Sequence, residues 1–149
     1  MKLSTRVRYG ARAMVDLGVA FPDGTVSVRD IAQREGVSAK YLEQIVSRLK
    51  AAGLIVAHRG VQGGYSLARP PASISLNDIY HVLEGDTAPT DCVDEPGACP
   101  MKNVCPTRDT WVELKESIEN VLQNTSLQDL VERKGQKVGP HCLMYHIAL

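Results

Sequence analysis

Three of the chain's four cysteines fall in one short stretch, CVDEPGACPMKNVC, at Cys92, Cys99 and Cys105. Pro96, Gly97, Pro100 and Pro106 punctuate it, and such residues keep a backbone out of regular helix or strand. Thiols this close can converge on one metal centre. The spacing suits zinc poorly, because zinc knuckles set their cysteines closer together. It also departs from the ferredoxin runs. An iron–sulfur cluster held by three thiolates and one non-cysteine ligand is the sharper reading. Free thiols in a flexible loop, or a redox pair, are the other two.

The elements that would position such a loop come before and after it. A formal net charge of zero hides two opposed halves: residues 1–70 carry eleven Lys and Arg against five Asp and Glu, and residues 71–149 carry six against twelve. A basic half beside an acidic one directs the first toward a polyanion. The N-terminus MKLSTRVRYGARAM has no apolar run of secretory type, and no segment is long enough to span a bilayer. A cytoplasmic protein without a membrane partner is expected, and there disulfides are disfavoured.

Helical periodicity runs over residues 4–21, with Val7, Ala11, Met14, Val15 and Gly18 on one stripe. Ser27-Val28-Arg29-Asp30 opens a short second helix, which Gly36 ends. Ser38 then caps a longer one to Ala52, apolar at Tyr41, Leu42, Ile45, Val46 and Leu49. Two helices joined by a tight glycine turn form a helix-turn-helix pattern. Two β-rich pieces, 54–58 and 65–67, flank a turn at Gly60-Val61-Gln62-Gly63-Gly64 and complete a wing. The fold class expected is mainly α with a small β wing: a winged helix-turn-helix domain plus a long C-terminal dimerisation helix.

Arg6, Arg48 and Lys50 are placed to bind phosphate. Ser38, Lys40, Tyr41, Glu43 and Gln44 lie at the recognition-helix end that meets base edges; Gln44 can pair with adenine and Glu43 can accept from cytosine. Arg59 and Gly60 stand at the wing tip, where glycine lets the backbone approach a phosphate wall or minor groove. Past the wing, Ser75 opens a helix with Leu76, Ile79, Tyr80 and Leu83 on one face. After the cysteine loop, residues 107–123 read as a long helix with a stripe of Trp111, Leu114, Ile118, Val121 and Leu122. A homodimer interface explains that stripe, and packing back on the first helix is the alternative. Ser126 caps a last short helix. The expected organisation is a DNA-binding domain at 1–85, a cluster loop at 86–106, dimerisation helices at 107–133 and a tail at 134–149. No paired acids, nucleophile–base set or phosphate loop supports an enzyme. A small iron–sulfur electron carrier is the competing class, and it would leave the basic helix idle.

The segments LSTRVRYGARAM, VSVRDIAQREGVSAKYLEQIVSRLKAAGLIVAHRGVQGGYSLARPP and SISLNDIYHVLEG, with the three cysteines and the tryptophan helix, closely resemble the IscR-type regulators. The likeness covers about residues 1–133. It implies a dimeric winged-helix repressor that carries a [2Fe–2S] cluster, binds a palindromic operator in double-stranded DNA and represses iron–sulfur assembly genes when loaded. It also implies that Glu43 selects among sites and that Arg59 enters the minor groove. A [4Fe–4S] cluster stays open, as does the nitric-oxide or redox sensing of the NsrR-type relatives. CymR-type relatives lack the cysteine cluster, so Cys92, Cys99 and Cys105 argue against that branch. Such a cluster is expected to order the loop against the wing and recognition helix of a partner subunit. One position departs from the pattern. Where IscR-type proteins place a ligating histidine, this chain has Arg108, whose guanidinium cannot coordinate iron. Some NsrR-type members use an acid near the N-terminus, and that position holds Arg8. Candidates for the fourth ligand are Asp109, Asp91, Glu95 and the tail residues His141 and Cys142; His146 has no assigned role.

Overall fold

Four helices of the first half each begin at a serine that satisfies a backbone donor the helix cannot satisfy itself. The N-cap hydroxyl of Ser4 accepts from Val7 N at 3.2 Å, and those of Ser27, Ser38 and Ser75 accept from Asp30, Tyr41 and Asp78 N at 3.1 Å each. At Ser75 the box closes, since Asp78 Oδ2 accepts from Ser75 N at 2.9 Å. A computed structural model describes residues 3–61, 63–95 and 97–142, with side chains described to residue 137. Its helices are α1 (Thr5–Ala20), α2 (Val28–Glu35), α3 (Ala39–Ala51), α4 (Leu76–Leu83), α5 (Asp91–Asp94), α6 (Arg108–Gln123) and α7 (Leu127–Cys142).

The wing is an antiparallel pair, β1 (Ile55–His58) and β2 (Gly64–Leu67), in the register Ile55↔Leu67 to His58↔Gly64. Val26 exchanges both backbone bonds with Tyr65 at 2.9 Å, which fastens the α1–α2 connection to the wing. At the tip Gly60 takes φ +112°, a left-handed conformation that a side chain would strain.

α1 runs through the middle, packed on α3, α4, α7 and β2. Met14, Leu17, Leu42, Ile45, Leu49, Ile79, Leu83 and Leu127 are fully buried around it. Two glycines permit the approach: a Cβ at Gly10 would lie 2.2 Å from Leu83 Cδ1, and one at Gly18 would lie 2.6 Å from Val131 Cγ2. The buried stripe of α1 is Val7, Gly10, Ala13, Met14, Leu17 and Gly18. Ala11 and Val15, expected on the stripe, are only half-buried, because α1 is covered from a slightly different side.

Two elements differ from the expectation. A single helical turn, α5, forms inside the segment expected to stay irregular; its last turn is closed by Glu95 N on Asp91 O at 2.9 Å, ahead of the first proline. The final helix also continues past residue 133 to Cys142. Lys134 explains the extension, since its ammonium pairs with the nearly buried Asp16 of α1, which Arg34 also holds at 2.9 Å. Among the described residues no helix is long and apolar enough to cross a membrane.

Candidate functional site

The recognition helix α3 buries Leu42, Ile45, Val46 and Leu49 and leaves Lys40, Glu43, Gln44, Ser47, Arg48 and Lys50 exposed. Between that exposed face and the first turn of α1 runs an open groove of about 890 Å³, lined by Ser4, Thr5, Arg6, Lys40, Tyr41, Glu43, Gln44 and Arg48. Tyr41 belongs to both core and groove: it is half-buried, stands edge-on to Tyr9 with centroids 6.2 Å apart, and its hydroxyl meets Thr5 Oγ1 at 3.0 Å. Ser38 points its hydroxyl back to its own helix, so its first task is the cap.

Among the described residues no carboxylate pairs with Lys40, Arg48, Lys50 or Arg59. These cations stand ready for an external anion. Arg59 and Gly60 lie exposed at the wing tip, and His58 Nε2 to Ser66 Oγ at 2.7 Å staples the strands beneath them. Arg6 is different. It faces the same groove, but its guanidinium lies 3.8 Å from Glu84 Oε2, at the end of α4, and its Nε is buried without a partner. Ser4 Oγ donates to the same carboxylate. Sequence reasoning missed Glu84, because nothing local links it to residues eighty positions earlier.

The cysteine loop leaves from the same C-terminal end of α4, just past Glu84. Cys92, Cys99 and Cys105 are half-exposed free thiols. Cys92 Sγ meets Thr90 Oγ1 at 3.3 Å, and Cys105 Sγ meets Thr107 Oγ1 at 3.4 Å. The Cys105 thiol is held below its ordinary range, chiefly by the Thr107 hydroxyl, then by the Thr107 N–H and by Arg108. A lowered pKa favours the thiolate, the form that ligates metal. Among the described residues no three Cys, His, Asp or Glu are drawn into a metal-binding group. The loop presents its thiols without closing them on a point.

What α6 does to this loop is well defined. Arg108 Nε donates to Cys92 O at 3.3 Å, and Arg108 N lies 3.5 Å from Cys105 O, so one residue ties together the two ends of the cysteine stretch. Seven residues on, Lys115 bonds Asp94 and lies 3.4 Å from Asp86 and 3.7 Å from Glu119. Glu119 accepts from the buried Thr87 hydroxyl at 2.9 Å. The Asp86 carboxyl is pushed down to about 2, first by hydrogen bonding with Asp94, then by the Ala88 N–H and Lys115. Lys115 itself is raised, first by its bond to Asp94. Of the fourth-ligand candidates, Asp91, Glu95 and Asp109 are exposed. The side chains of His141 and Cys142 lie outside the described residues, as does all of His146.

The donor set fits an iron–sulfur cluster in kind: three sulfurs within one loop, one of them biased toward thiolate, with a cation beside them to offset the charge. Arg108 supplies that charge and no ligand.

A winged helix-turn-helix with a cationic recognition face defines a DNA-binding regulator. Residues 3–133 match the family Rrf2, "Iron-dependent Transcriptional regulator", and the chain belongs to it. It is similar to protein rrf2 of Nitratidesulfovibrio vulgaris, 40% identical over 131 residues that cover 88% of this chain and 87% of that protein. Among solved structures it is similar to T. potens IscR, at a TM-score of 0.77 and 39% identity over 97% of this chain and 96% of the other. It is similar as well to CymR, the global cysteine regulator of B. subtilis, at 0.76 and 37% over 89% and 98%. The protein is thus a repressor-type transcriptional regulator that binds DNA, and not an enzyme.

Proposed function

We propose that this regulator represses iron–sulfur assembly genes according to the state of a cluster, [2Fe–2S] or [4Fe–4S], held by Cys92, Cys99 and Cys105. The observation that carries this reading is the cysteine loop itself: three free thiols on one short segment, anchored through Arg108 and Lys115 to the long helix α6. When bound, the cluster would supply lability, since one non-thiolate ligand makes occupancy follow supply. The chain's own residues do the rest. Arg48 and Lys50 hold phosphates, as Arg6 does once free of Glu84, Ser38, Lys40, Tyr41, Glu43 and Gln44 face base edges, and Arg59 with Gly60 reaches the minor groove.

The functional unit is a homodimer on a palindromic operator. α6 has no fully buried residue; Leu122 packs against the core, but Leu114 and Val121 are 40% and 63% exposed, so part of its stripe is left open within one chain. A second copy covers it, and two recognition helices then face successive major grooves. Residues 1–85 form the DNA-binding unit, 86–106 the sensing loop and 107–133 the dimer helices, with α7 laid back on α1. The half-exposed Cys105, biased toward thiolate, supports a second reading in which nitric oxide or an oxidant is the signal.

Anaerobic purification with iron and sulfide analysis tests the proposal. Coloured protein that shifts a palindromic promoter fragment is expected, together with a Cys92→Ala/Cys99→Ala/Cys105→Ala variant that is colourless and altered in operator preference. A variant that keeps wild-type iron content, or matches wild type on every operator, would falsify it.

A further inference from the structure

The groove that meets DNA and the loop that carries the cysteines lie at opposite ends of one run of polar contacts inside a single chain. Arg108, Lys115 and Glu119 recur at i, i+7 and i+11, one face of α6, and that face grips residues 86–94 at Cys92, Asp94, Asp86 and Thr87. Asp86 follows Glu84 with only Gly85 between. Glu84 receives both the Ser4 hydroxyl and Arg6, on the first turn of α1. The next residue, Thr5, meets the Tyr41 hydroxyl of the recognition helix at 3.0 Å. The links are polar contacts joined by two short covalent steps, 84–86 and 4–6, and most of the contacts span large sequence distances.

We propose that Lys115 is a positioning residue that couples the cysteine loop to the DNA groove, by setting the α4 exit whose Glu84 holds Arg6 away from phosphate. Asp94 lies two residues beyond Cys92, so drawing Cys92 toward Cys99 and Cys105 pulls on the carboxylate that Lys115 grips. The same ammonium holds Asp86, and movement there is passed to Glu84 through the short 84–86 segment. An Arg6 paired with Glu84 gives less of its charge to DNA; released, it adds a phosphate contact. This rests on the reading that the loop is the sensor, but its direct consequences are visible in cluster-free protein.

The test measures affinity of cluster-free protein for a duplex lacking the operator, across salt concentrations. Glu84→Gln should bind several-fold tighter and steepen the salt slope by about 0.9, the value of one neutralised phosphate. In an Arg6→Gln background the same change should do nothing, which separates release of Arg6 from simple loss of a negative charge. Lys115→Met should move slope and affinity toward Glu84→Gln, and Lys115→Arg should restore wild-type values. An unchanged slope in Glu84→Gln, or an equal gain with and without Arg6, overturns the proposal. So does a Lys115→Met protein of native circular dichroism that binds as wild type does. Because none of these arms contains a cluster, they fail separately from the sensing reading, which is decided by loaded protein alone.

Discussion

Residues 1–85 and residues 86–123 are built on different physical terms. The first region has a closed aliphatic core in which Met14, Leu42, Leu49 and Ile79 are wholly inaccessible. The second has one buried side chain, Thr87, among its described residues, and that one is polar. Its shape is held by Arg108, Lys115, Glu119 and their partners rather than by burial. Half-exposed charge pairs contribute little to stability in water, whereas each buried aliphatic side chain contributes about 1.5–3 kcal/mol. The lesson is a division of labour. The DNA-reading region is held by apolar burial that Leu127 of α7 completes, and the sensing region stays near balance, as a segment that must respond to a ligand or a second subunit should.

Substitutions in the two regions should therefore differ most in stability. Leu42→Ala empties a fully buried site beneath the recognition helix and should cost about 2–5 kcal/mol in urea unfolding. Leu114→Ala, a similar deletion on α6, should change the stability of dilute monomer by less than about 0.5 kcal/mol. Equal losses would break the distinction.

Next in size is assembly. Val121→Glu places a charge on the exposed part of the α6 stripe and should give a monomer in analytical ultracentrifugation, with operator affinity down by about tenfold or more, or about 1.4 kcal/mol. A dimer of unaltered stability would move the interface elsewhere. Smaller still is the effect of the cysteines on folding. The triple alanine variant should lose its iron yet, compared with cluster-free wild type, unfold within about 0.5 kcal/mol.

The smallest effect concerns α7. The Asp129 carboxyl is held below its ordinary value of 3.8, first by the Ser126 hydroxyl and then by the Ser126 N–H. A depressed carboxylate contributes stability above its unfolded pKa and loses it as pH falls through the folded one. The docking of α7 should thus weaken below about pH 4, and Asp129→Asn should remove that pH-dependent part in acid titrations followed by circular dichroism.

Much of this was legible from residue order. Serine caps and apolar periodicity mark α1 to α4, and glycines mark the wing, because these signals are local. Tyr41 straddles core and groove as its position on the stripe implies. What escaped is non-local. Glu84 meets Ser4 and Arg6 only after α4 packs on α1, and Asp16 finds Lys134 more than a hundred residues on. That second contact carries α7 past its expected end. The turn α5 escaped for another reason: the prolines that argued against helix all follow it. In the sequence Arg108 marks a missing ligand; its role as the tie between Cys92 and Cys105 depends on the folded geometry.

The most direct test of the central claim is a titration of one operator fragment with wild-type protein in loaded and cluster-free forms, at one salt concentration. The two affinities should differ by about 5–150-fold, the range of a coupling of about 1–3 kcal/mol. Indistinguishable affinities on every operator, from protein shown to carry iron and sulfide in one form and neither in the other, would contradict it.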